Sequence, residues 1–289
     1  MAARCERAPY NARLGIRVES VEVDGARLRV PYKDENSNPG RALHGGVAAS
    51  TIDIAGALAA MSGVKPSPDL ETGTLDLSVN YLAAAIGEDI VATAEVLRRG
   101  KEIIYSTVDV RNDAGKRIAT GLATYRAFDL GAQPVARERQ RAATPAAHAA
   151  GSAELIRGAR MFVSVPFIAS LGTEVEHAHD GQAILRMPFK TDNADHDDAV
   201  HEGALAALID TTGALASWSV VGLNFAWKAS TVGIHVNYHA AAQREAVIAH
   251  AHTLRRNNEI FLNSVTVSGC ASGKIIATGS VTYRIVVTE

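Results

Sequence analysis

The sequence contains one pattern twice, and this duplication restricts the chain to folds built from two equivalent units. An offset of 157 residues relates the two copies over most of their length and becomes 158 near the end of each copy. The matching segments include Leu14-Gly15 with Leu171-Gly172, Gly56-Ala57-Leu58-Ala59 with Gly213-Ala214-Leu215-Ala216, Val79-Asn80-Tyr81 with Val236-Asn237-Tyr238, and Thr124-Tyr125-Arg126 with Thr282-Tyr283-Arg284. The repeat predicts a first domain over 10–128, a linker over 129–159 and a second domain over 160–287.

Each copy shows the same predicted order of two short strands, one helix and four longer strands. The predicted elements of the first copy are strands 14–23 and 26–32, helix 46–61, and strands 72–82, 88–98, 102–111 and 116–128. The second copy has helix 203–220 and strands 230–239, 244–256, 259–268 and 273–287. The first helix is apolar or small on every face, with Asp53 as its only charge, so we expect it to be buried all round. The predicted fold class is therefore α+β, with an antiparallel sheet wrapped around one long helix in each copy.

Composition and charge narrow the possible functions further. The formal net charge of −2 provides no overall attraction for nucleic acid or anionic lipid. The two cysteines, Cys5 and Cys270, are too few for a disulfide framework and favour a reducing compartment. The N-terminus is too polar for a signal peptide, and the longest apolar stretches contain aspartate or histidine. We therefore expect a cytoplasmic protein without membrane spans.

Asp53 and Asp210 are lone carboxylates in the middle of the two predicted buried helices. An ionised carboxylate is costly to bury without a partner, so each must be hydrogen-bonded, protonated or open to a cavity. A purely structural aspartate satisfies this condition, and so does a general base with a raised pKa.

The tripeptide His44-Gly45-Gly46 stands at the start of the first predicted helix. Free N–H groups at a helix N-terminus carry partial positive charge, and glycines let a ligand approach the backbone closely. Such a turn can hold a carbonyl oxygen that becomes an oxyanion. A helix cap with a tight turn explains the same residues. Gly46 and its counterpart Gly203 are candidates for this close approach to substrate.

Asn38, the run His44-Gly45-Gly46 and Asp53 together resemble the signature of PaaI-type hotdog thioesterases, which act on acyl-CoA thioesters. The resemblance covers nearly all of both copies and is stronger in the first. It implies a sheet wrapped around one long helix, with two such units joined edge to edge, so that the duplicated chain forms a tandem hotdog.

The resemblance also implies roles for individual residues. Asn38, His44 and Gly45 match the positions that orient and polarise the thioester carbonyl. Asp53 matches the catalytic carboxylate, which acts as general base or nucleophile, and Thr74 matches the hydroxyl residue that positions water.

In the family each site takes its His-Gly side and its Asp side from different subunits, so here the pairing should cross between the copies. One expected site, called the Asp210 site below, joins Asn38, His44 and Gly45 to Asp210 and Thr231. The other, called the Asp53 site, joins His201 and Glu202 to Asp53 and Thr74.

The second copy departs from the family pattern at two positions. Glu202 replaces the first glycine of the turn, and Asp195 stands where the first copy has Asn38. The Glu202 side chain is expected to narrow the pocket, to repel an oxyanion, or to serve as an extra base. We therefore expect the Asp210 site to be the more competent one.

Basic residues at one predicted strand-to-strand turn in each copy are candidates for contacts with the phosphates of CoA. A solvated turn explains them equally well. They are Arg98, Arg99 and Lys101 in the first copy and Arg255 and Arg256 in the second. No spacing of histidine, cysteine or carboxylate residues fits a metal signature, so no metal is expected, and CoA is expected only as part of the substrate.

Hydrolysis of acyl-CoA to free acid and CoA is the function that these observations favour. Two alternatives stay open, a hotdog enoyl-CoA hydratase or dehydratase and a non-catalytic acyl-CoA binding module. The expected partner is the acyl-CoA substrate, without nucleic acid or membrane, and a homodimer of the fused chain is plausible.

Overall fold

The structure, a computed structural model, describes residues 1–67, 69–129 and 156–287. The first copy contains the helices α1 (Ala2–Arg7), α2 (Pro9–Leu14) and α3 (Gly45–Ser62) and the strands β1 (Arg17–Glu22), β2 (Gly25–Val30), β3 (Leu70–Tyr81), β4 (Ile90–Arg99), β5 (Ile103–Asn112) and β6 (Arg117–Asp129). The second contains α4 (Ala159–Phe162), α5 (Pro166–Leu171), α6 (Glu202–Val221), β7 (Glu174–His179), β8 (Gln182–Met187), β9 (Lys228–Tyr238), β10 (Val247–Asn257), β11 (Ile260–Gly269) and β12 (Ile275–Val286).

The strands form one antiparallel sheet that runs through both copies. Its order is β1-β2-β4-β5-β6-β3-β9-β12-β11-β10-β8-β7, which repeats the same half-sheet in reverse about the centre. The two halves join where β3 pairs with β9, from Asp76 opposite Asn237 to Asn80 opposite Gly233. Each half wraps one long buried helix, so the predicted fold of two tandem hotdog units is confirmed.

The helices α3 and α6 pack against each other in antiparallel directions. A Cβ atom added at Gly46 would lie 2.6 Å from Cβ of Ala207, and one added at Gly203 would lie 2.5 Å from Oγ of Ser50. The glycines are needed because no larger residue fits where the helices touch. As a result, the N-terminus of each helix lies beside the middle of the other.

Both central helices are apolar and long enough to cross a membrane by composition alone. In this fold 78% of the α3 span and 89% of the α6 span are buried inside the protein. Their apolar character is therefore accounted for by the sheet that surrounds each of them.

The beginning of each copy differs from the sequence-based expectation. The strand expected from position 14 begins at Arg17, and Leu14 instead ends the short helix α2, which starts with Pro9. Gly15 terminates this helix with a left-handed backbone at φ 78°. The second copy repeats the arrangement in α5, which runs from a proline to a left-handed glycine. The other predicted elements agree with the structure to within three residues. Most of the predicted linker lies outside the described residues, so the domain boundaries stay a prediction.

Candidate active site

The aspartates of the two central helices are buried and each is held by a threonine from the adjacent strand. Thr74 on β3 donates a hydrogen bond of 2.8 Å to Oδ1 of Asp53, and Thr231 on β9 donates one of 2.6 Å to Oδ1 of Asp210. Asp53 is 3% exposed and Asp210 is 4% exposed. Burial raises the pKa of Asp210 to about 6, while the bond from Thr231 opposes the rise. A carboxyl group with this pKa can accept a proton near neutral pH.

Each aspartate faces the helix N-terminus of the other copy. A Cβ atom added at Gly45 would lie 3.0 Å from Oδ2 of Asp210, so the α3 backbone reaches Asp210 because position 45 has no side chain. On the other side, ligand atoms of Asp53, His201 and Glu202 all lie within 4.8 Å of one another. The structure thus places Gly45 of the first copy beside Asp210 of the second, and His201 and Glu202 of the second copy beside Asp53 of the first, which is the crossed arrangement that the family resemblance implies.

His44 and His201 cap their own helices and are neutral. Nδ1 of His44 accepts the N–H of Gly46 at 2.9 Å, and Nδ1 of His201 accepts the N–H of Gly203 at 2.9 Å. Burial lowers the pKa of His44 to about 4 and that of His201 to about 3. A neutral imidazole that accepts at Nδ1 carries its proton on Nε2, so each histidine has one N–H donor to offer.

Gly45 provides a second donor at the Asp210 site. Its N–H is the first of α3, and among the described residues no acceptor for it is found. The N–H groups at a helix start carry partial positive charge, which favours an oxygen that becomes negative during a reaction.

Glu202 makes the Asp53 site chemically different. Burial, followed by the charge of Asp53, raises the pKa of the Glu202 carboxyl, and burial also raises the pKa of Asp53. A buried carboxyl and a half-buried one at this separation do not both ionise readily, so the pair retains a proton near neutral pH. The Asp210 site has Gly45 at the corresponding position and lacks this second acid.

Asp53, His201 and Glu202 are also a group that geometry alone would allow to hold a metal ion. The bond that His201 accepts at Nδ1 places the ring proton on Nε2, which removes that nitrogen as a ligand. The donor set is therefore better suited to hydrogen bonding than to metal coordination.

Two tyrosines complete the sites, and the sequence analysis did not assign them. The hydroxyl of Tyr81 donates to the carbonyl of Gly45 at 3.2 Å, and that of Tyr238 donates to the carbonyl of Glu202 at 3.1 Å. Burial raises the pKa of Tyr81, and the charge of Asp210 adds to the rise. A Cβ atom added at Gly45 would lie 3.4 Å from the Tyr81 ring and 3.0 Å from Oδ2 of Asp210, so both groups line the same space. The repeated triplet Val-Asn-Tyr was the available signal, since it ends both central strands.

A cavity of about 320 Å³ opens onto the Asp53 site. Its lining includes Thr74, Glu202, Tyr238, Asp195 and Arg126. Asp195 is fixed by bonds from the backbone of Asp197 and Ala199, at 2.7 and 2.9 Å. Asn38 occupies the same loop position in the first copy, where its backbone N–H donates to the carbonyl of Ala42 at 2.7 Å.

The basic residues predicted to bind phosphate have mixed surroundings. Arg99 forms an ion pair with Asp24, and Arg256 lies over the ring of Phe261 at 5.3 Å. Arg98, Lys101 and Arg255 are exposed. Arg126, which the sequence analysis did not single out, lines the cavity at the Asp53 site and forms an ion pair of 3.5 Å with Glu102.

Comparison with known families gives a match in both copies. The family model described as the thioesterase superfamily matches residues 40–119 and 198–268, which is more than half of the chain. The two matched segments contain both His-Gly or His-Glu turns, both central aspartates and both threonines.

Individual relatives match over about one copy. A medium/long-chain acyl-CoA thioesterase of Escherichia coli is 31% identical over 132 residues, which are 40% of this chain and 84% of that protein. Human acyl-coenzyme A thioesterase 13 is 36% identical over 94 residues, which are 32% of this chain and 65% of that protein.

Solved structures match over both copies. A hotdog-fold protein of Alicyclobacillus acidocaldarius superposes with a TM-score of 0.66 at 18% identity, covering 93% of this chain and 97% of that one. At this identity the likeness shows the fold alone, and it extends to the arrangement of two units in one chain.

Proposed function

Because the chain belongs to the thioesterase superfamily, we propose that it hydrolyses acyl-CoA thioesters to a free acid and CoA at two composite sites. One observation carries the proposal: a buried carboxyl with a pKa near neutrality faces the N-terminus of a helix from the other copy. A proton acceptor and an oxyanion site are the two parts that hydrolysis of a thioester requires.

The mechanism is clearest at the Asp210 site. The thioester carbonyl oxygen lies against the N–H of Gly45 and the Nε2–H of His44. Ionised Asp210, held by Thr231, takes a proton from a water molecule whose oxygen attacks the carbonyl carbon. The carbonyl electron pair moves to the oxygen, which the helix N-terminus stabilises. When the C–O double bond re-forms, the C–S bond breaks and CoA leaves as a thiolate, which needs no strong acid.

Asp210 serves as general base in this proposal, because a pKa of about 6 suits proton transfer near neutral pH. Direct attack of the Asp210 carboxylate on the carbonyl carbon is the alternative route. Its Oδ1 is occupied by Thr231, and its Oδ2 lies on the side of Gly45, where the substrate carbonyl is placed.

We also propose that the Asp210 site is the faster of the two. Gly45 has no side chain and its N–H has no acceptor among the described residues, whereas at the Asp53 site the Glu202 carboxyl stands within 4.8 Å of Asp53 and His201. When the Glu202–Asp53 pair loses its last proton, the added negative charge opposes an oxyanion. Both sites lie in one chain, so each can be inactivated separately.

Release of free thiol from acetyl-, hexanoyl-, palmitoyl-, benzoyl- and phenylacetyl-CoA tests the proposal. We expect Asp210→Asn to remove most of the turnover, by about 100-fold or more, and the double variant with Asp53→Asn to remove the rest. Asp180→Asn is a matched control, since Asp180 lies in an exposed turn at φ 47°, a conformation that asparagine tolerates well.

Three results would contradict parts of this proposal. Loss of enoyl-CoA absorbance without thiol release identifies a hydratase, and tight acyl-CoA binding without turnover identifies a binding module. If Asp53→Asn abolished turnover while Asp210→Asn left it intact, the ranking of the two sites would be reversed.

We propose the cytoplasm as the site of action. Cys5 and Cys270 are both free thiols in the structure, which agrees with a reducing compartment.

A further inference from the structure

Arg13, at the end of α2, has an unusual environment between the two copies. Its guanidinium carbon lies 5.0 Å from the ring centre of Tyr10 and 5.5 Å from that of Phe167. Its Nη1 donates to Oγ of Ser170. Its Nε and Nη2 are buried and have no hydrogen-bond acceptor among the described residues. The guanidinium therefore lies between two aromatic faces and donates one hydrogen bond, to Ser170.

These two rings are equivalent in the duplicated chain. Tyr10 and Phe167 are separated by the repeat offset of 157 residues, and so are Arg13 and Ser170. Because Arg13 contacts its own counterpart, this cluster lies at the pseudo-twofold axis that relates the copies. One arginine thus sits between two symmetry-related rings.

Each ring in turn packs against a histidine of one site. The ring of Tyr10 stacks on His201 with centroids 4.7 Å apart, and that of Phe167 contacts His44 with centroids 4.9 Å apart. The same rings approach the turns themselves. A Cβ atom added at Gly203 would lie 2.9 Å from Tyr10, and one added at Gly46 would lie 2.9 Å from Phe167.

The contacts form an unbroken stack of five side chains from one site to the other, which we call the ring stack: His201, Tyr10, Arg13, Phe167 and His44. Burial of a cation without a full set of acceptors costs free energy. An apolar side chain could fill the space between the two rings without this cost. A charge between two aromatic faces fixes both rings at once, because each face attracts it.

We propose that Arg13 is a positioning residue shared by the two sites, holding Tyr10 and Phe167 so that they fix the rings of His201 and His44. The orientation of each histidine matters because its Nδ1 caps the helix, while its Nε2–H is the donor that the proposed function assigns to the substrate carbonyl. The catalytic part of the inference rests on the proposed thioesterase function.

The test uses two backgrounds that leave one site each. Asp53→Asn leaves the Asp210 site with His44, and Asp210→Asn leaves the Asp53 site with His201. In both backgrounds we expect Arg13→Met to lower kcat about ten-fold or more while KM changes less than about two-fold. A misoriented histidine slows the chemical step more than it weakens substrate binding. Arg13→Lys should restore part of kcat, since an ammonium also binds aromatic faces.

Replacement of one ring at a time should affect one site more than the other. A general loss of packing would affect both sites equally. Tyr10→Leu should lower kcat more in the background that retains His201, and Phe167→Leu should do so in the background that retains His44. Arg17→Met is the matched control, since Arg17 is exposed at the start of β1 and lies outside the ring stack.

A second measurement does not depend on activity. Nitrogen-15 NMR of the imidazole rings at neutral pH should show both histidines protonated on Nε2 in the native chain. In Arg13→Met we expect both ring signals to shift or broaden together. An inactive native chain would refute the proposed function, and the ring signals would still decide the role of Arg13. Unchanged ring signals in folded Arg13→Met, or equal effects of Tyr10→Leu on both sites, would overturn the inference.

Discussion

At the scale of single residues, Asp53 and Asp210 accept hydrogen bonds from equivalent threonines, but among the described residues only Asp53 has a carboxyl neighbour. The hydrogen bonds from Thr74 and Thr231 oppose the effect of burial on the pKa of each aspartate. Glu202 stands beside Asp53 alone. The shared threonine bond and the single difference at Glu202 lead to separate predictions about pH dependence.

The first prediction concerns Thr231. Its bond favours the ionised form of Asp210, so Thr231→Val should raise the pKa of Asp210 from about 6. A hydrogen bond to a charged group is worth about 1.5–3 kcal/mol, which corresponds to about one pKa unit or more. Because the ionised carboxylate is the active form, kcat/KM in the Asp53→Asn background should rise at a higher pH than in the parent. If the rise of kcat/KM on the acid side of the pH profile stayed at the same pH in Thr231→Val, Asp210 would not be the titrating base.

The second prediction compares the two sites over a wide pH range. With only the Asp210 site active, kcat/KM should rise through a pH of about 6 and then stay level, because one carboxyl titrates. With only the Asp53 site active, the profile should be bell-shaped. The rate rises when the carboxyl pair loses its first proton and falls when it loses the second, whose charge repels the oxyanion. Two profiles of the same shape would exclude a role for Glu202.

The sequence predicted the residues whose chemistry is visible from type and spacing. Asp53 and Asp210 are conspicuous because a single carboxylate in a buried apolar helix costs free energy unless it has a partner or a function. Tyr81, Tyr238 and Arg13 do not stand out, since tyrosine at a strand end and arginine in a short amphipathic helix are common. Their positions near the sites depend on the crossing of the two copies, which only three-dimensional packing reveals.

At the scale of secondary-structure elements, the crossing of α3 and α6 determines both sites. The helix backbones approach closely at Gly46 and Gly203, and this approach places each N-terminus beside the other helix's aspartate. The distance between the helices therefore sets the distance between oxyanion donors and base at both sites together.

Gly46→Val tests this dependence. Its side chain would overlap Ala207, whose Cβ lies 2.6 Å from an added Cβ, and overpacking of this kind destabilises by about 1–3 kcal/mol. We expect chemical denaturation to show that loss, together with reduced turnover at both sites. Gly25→Ala is the matched control, because its added Cβ would meet only one atom, at 3.9 Å. Equal stability of the two variants would contradict the close crossing.

The long elements were predictable because their length exceeds local ambiguity, although the long helix α3 is apolar or small on every face and has no amphipathic period. The short helices α2 and α5 were not predicted, although their signals are present. Each begins with proline and ends at a glycine in the left-handed conformation, which is a typical pair of helix start and stop signals. A single helical turn has too few apolar residues to show a period, so Leu14 was interpreted as the start of a strand.

At the scale of the whole molecule, the two copies have produced two sites that differ in charge. The Asp53 site includes Glu202 and Asp195 in its cavity lining, together with Glu71. At the equivalent positions the sequence has Gly45, Asn38 and Lys228. All three differences make the Asp53 site more negative. We therefore expect an oxyanion, or an acyl group that carries a negative charge, to be stabilised less there than at the Asp210 site.

Exchange of these residues between the copies provides the last prediction. In the Asp210→Asn background, Glu202→Gly with Asp195→Asn should raise kcat/KM of the Asp53 site about ten-fold, because an N–H donor is uncovered and like charges are removed. In the Asp53→Asn background, Gly45→Glu with Asn38→Asp should lower kcat/KM of the Asp210 site by a similar factor. Thiol release measures both, and thermal unfolding verifies that each variant is folded. If both exchanges lowered turnover, these residues would not cause the difference between the sites, and each site would instead be adapted to its own substrate charge.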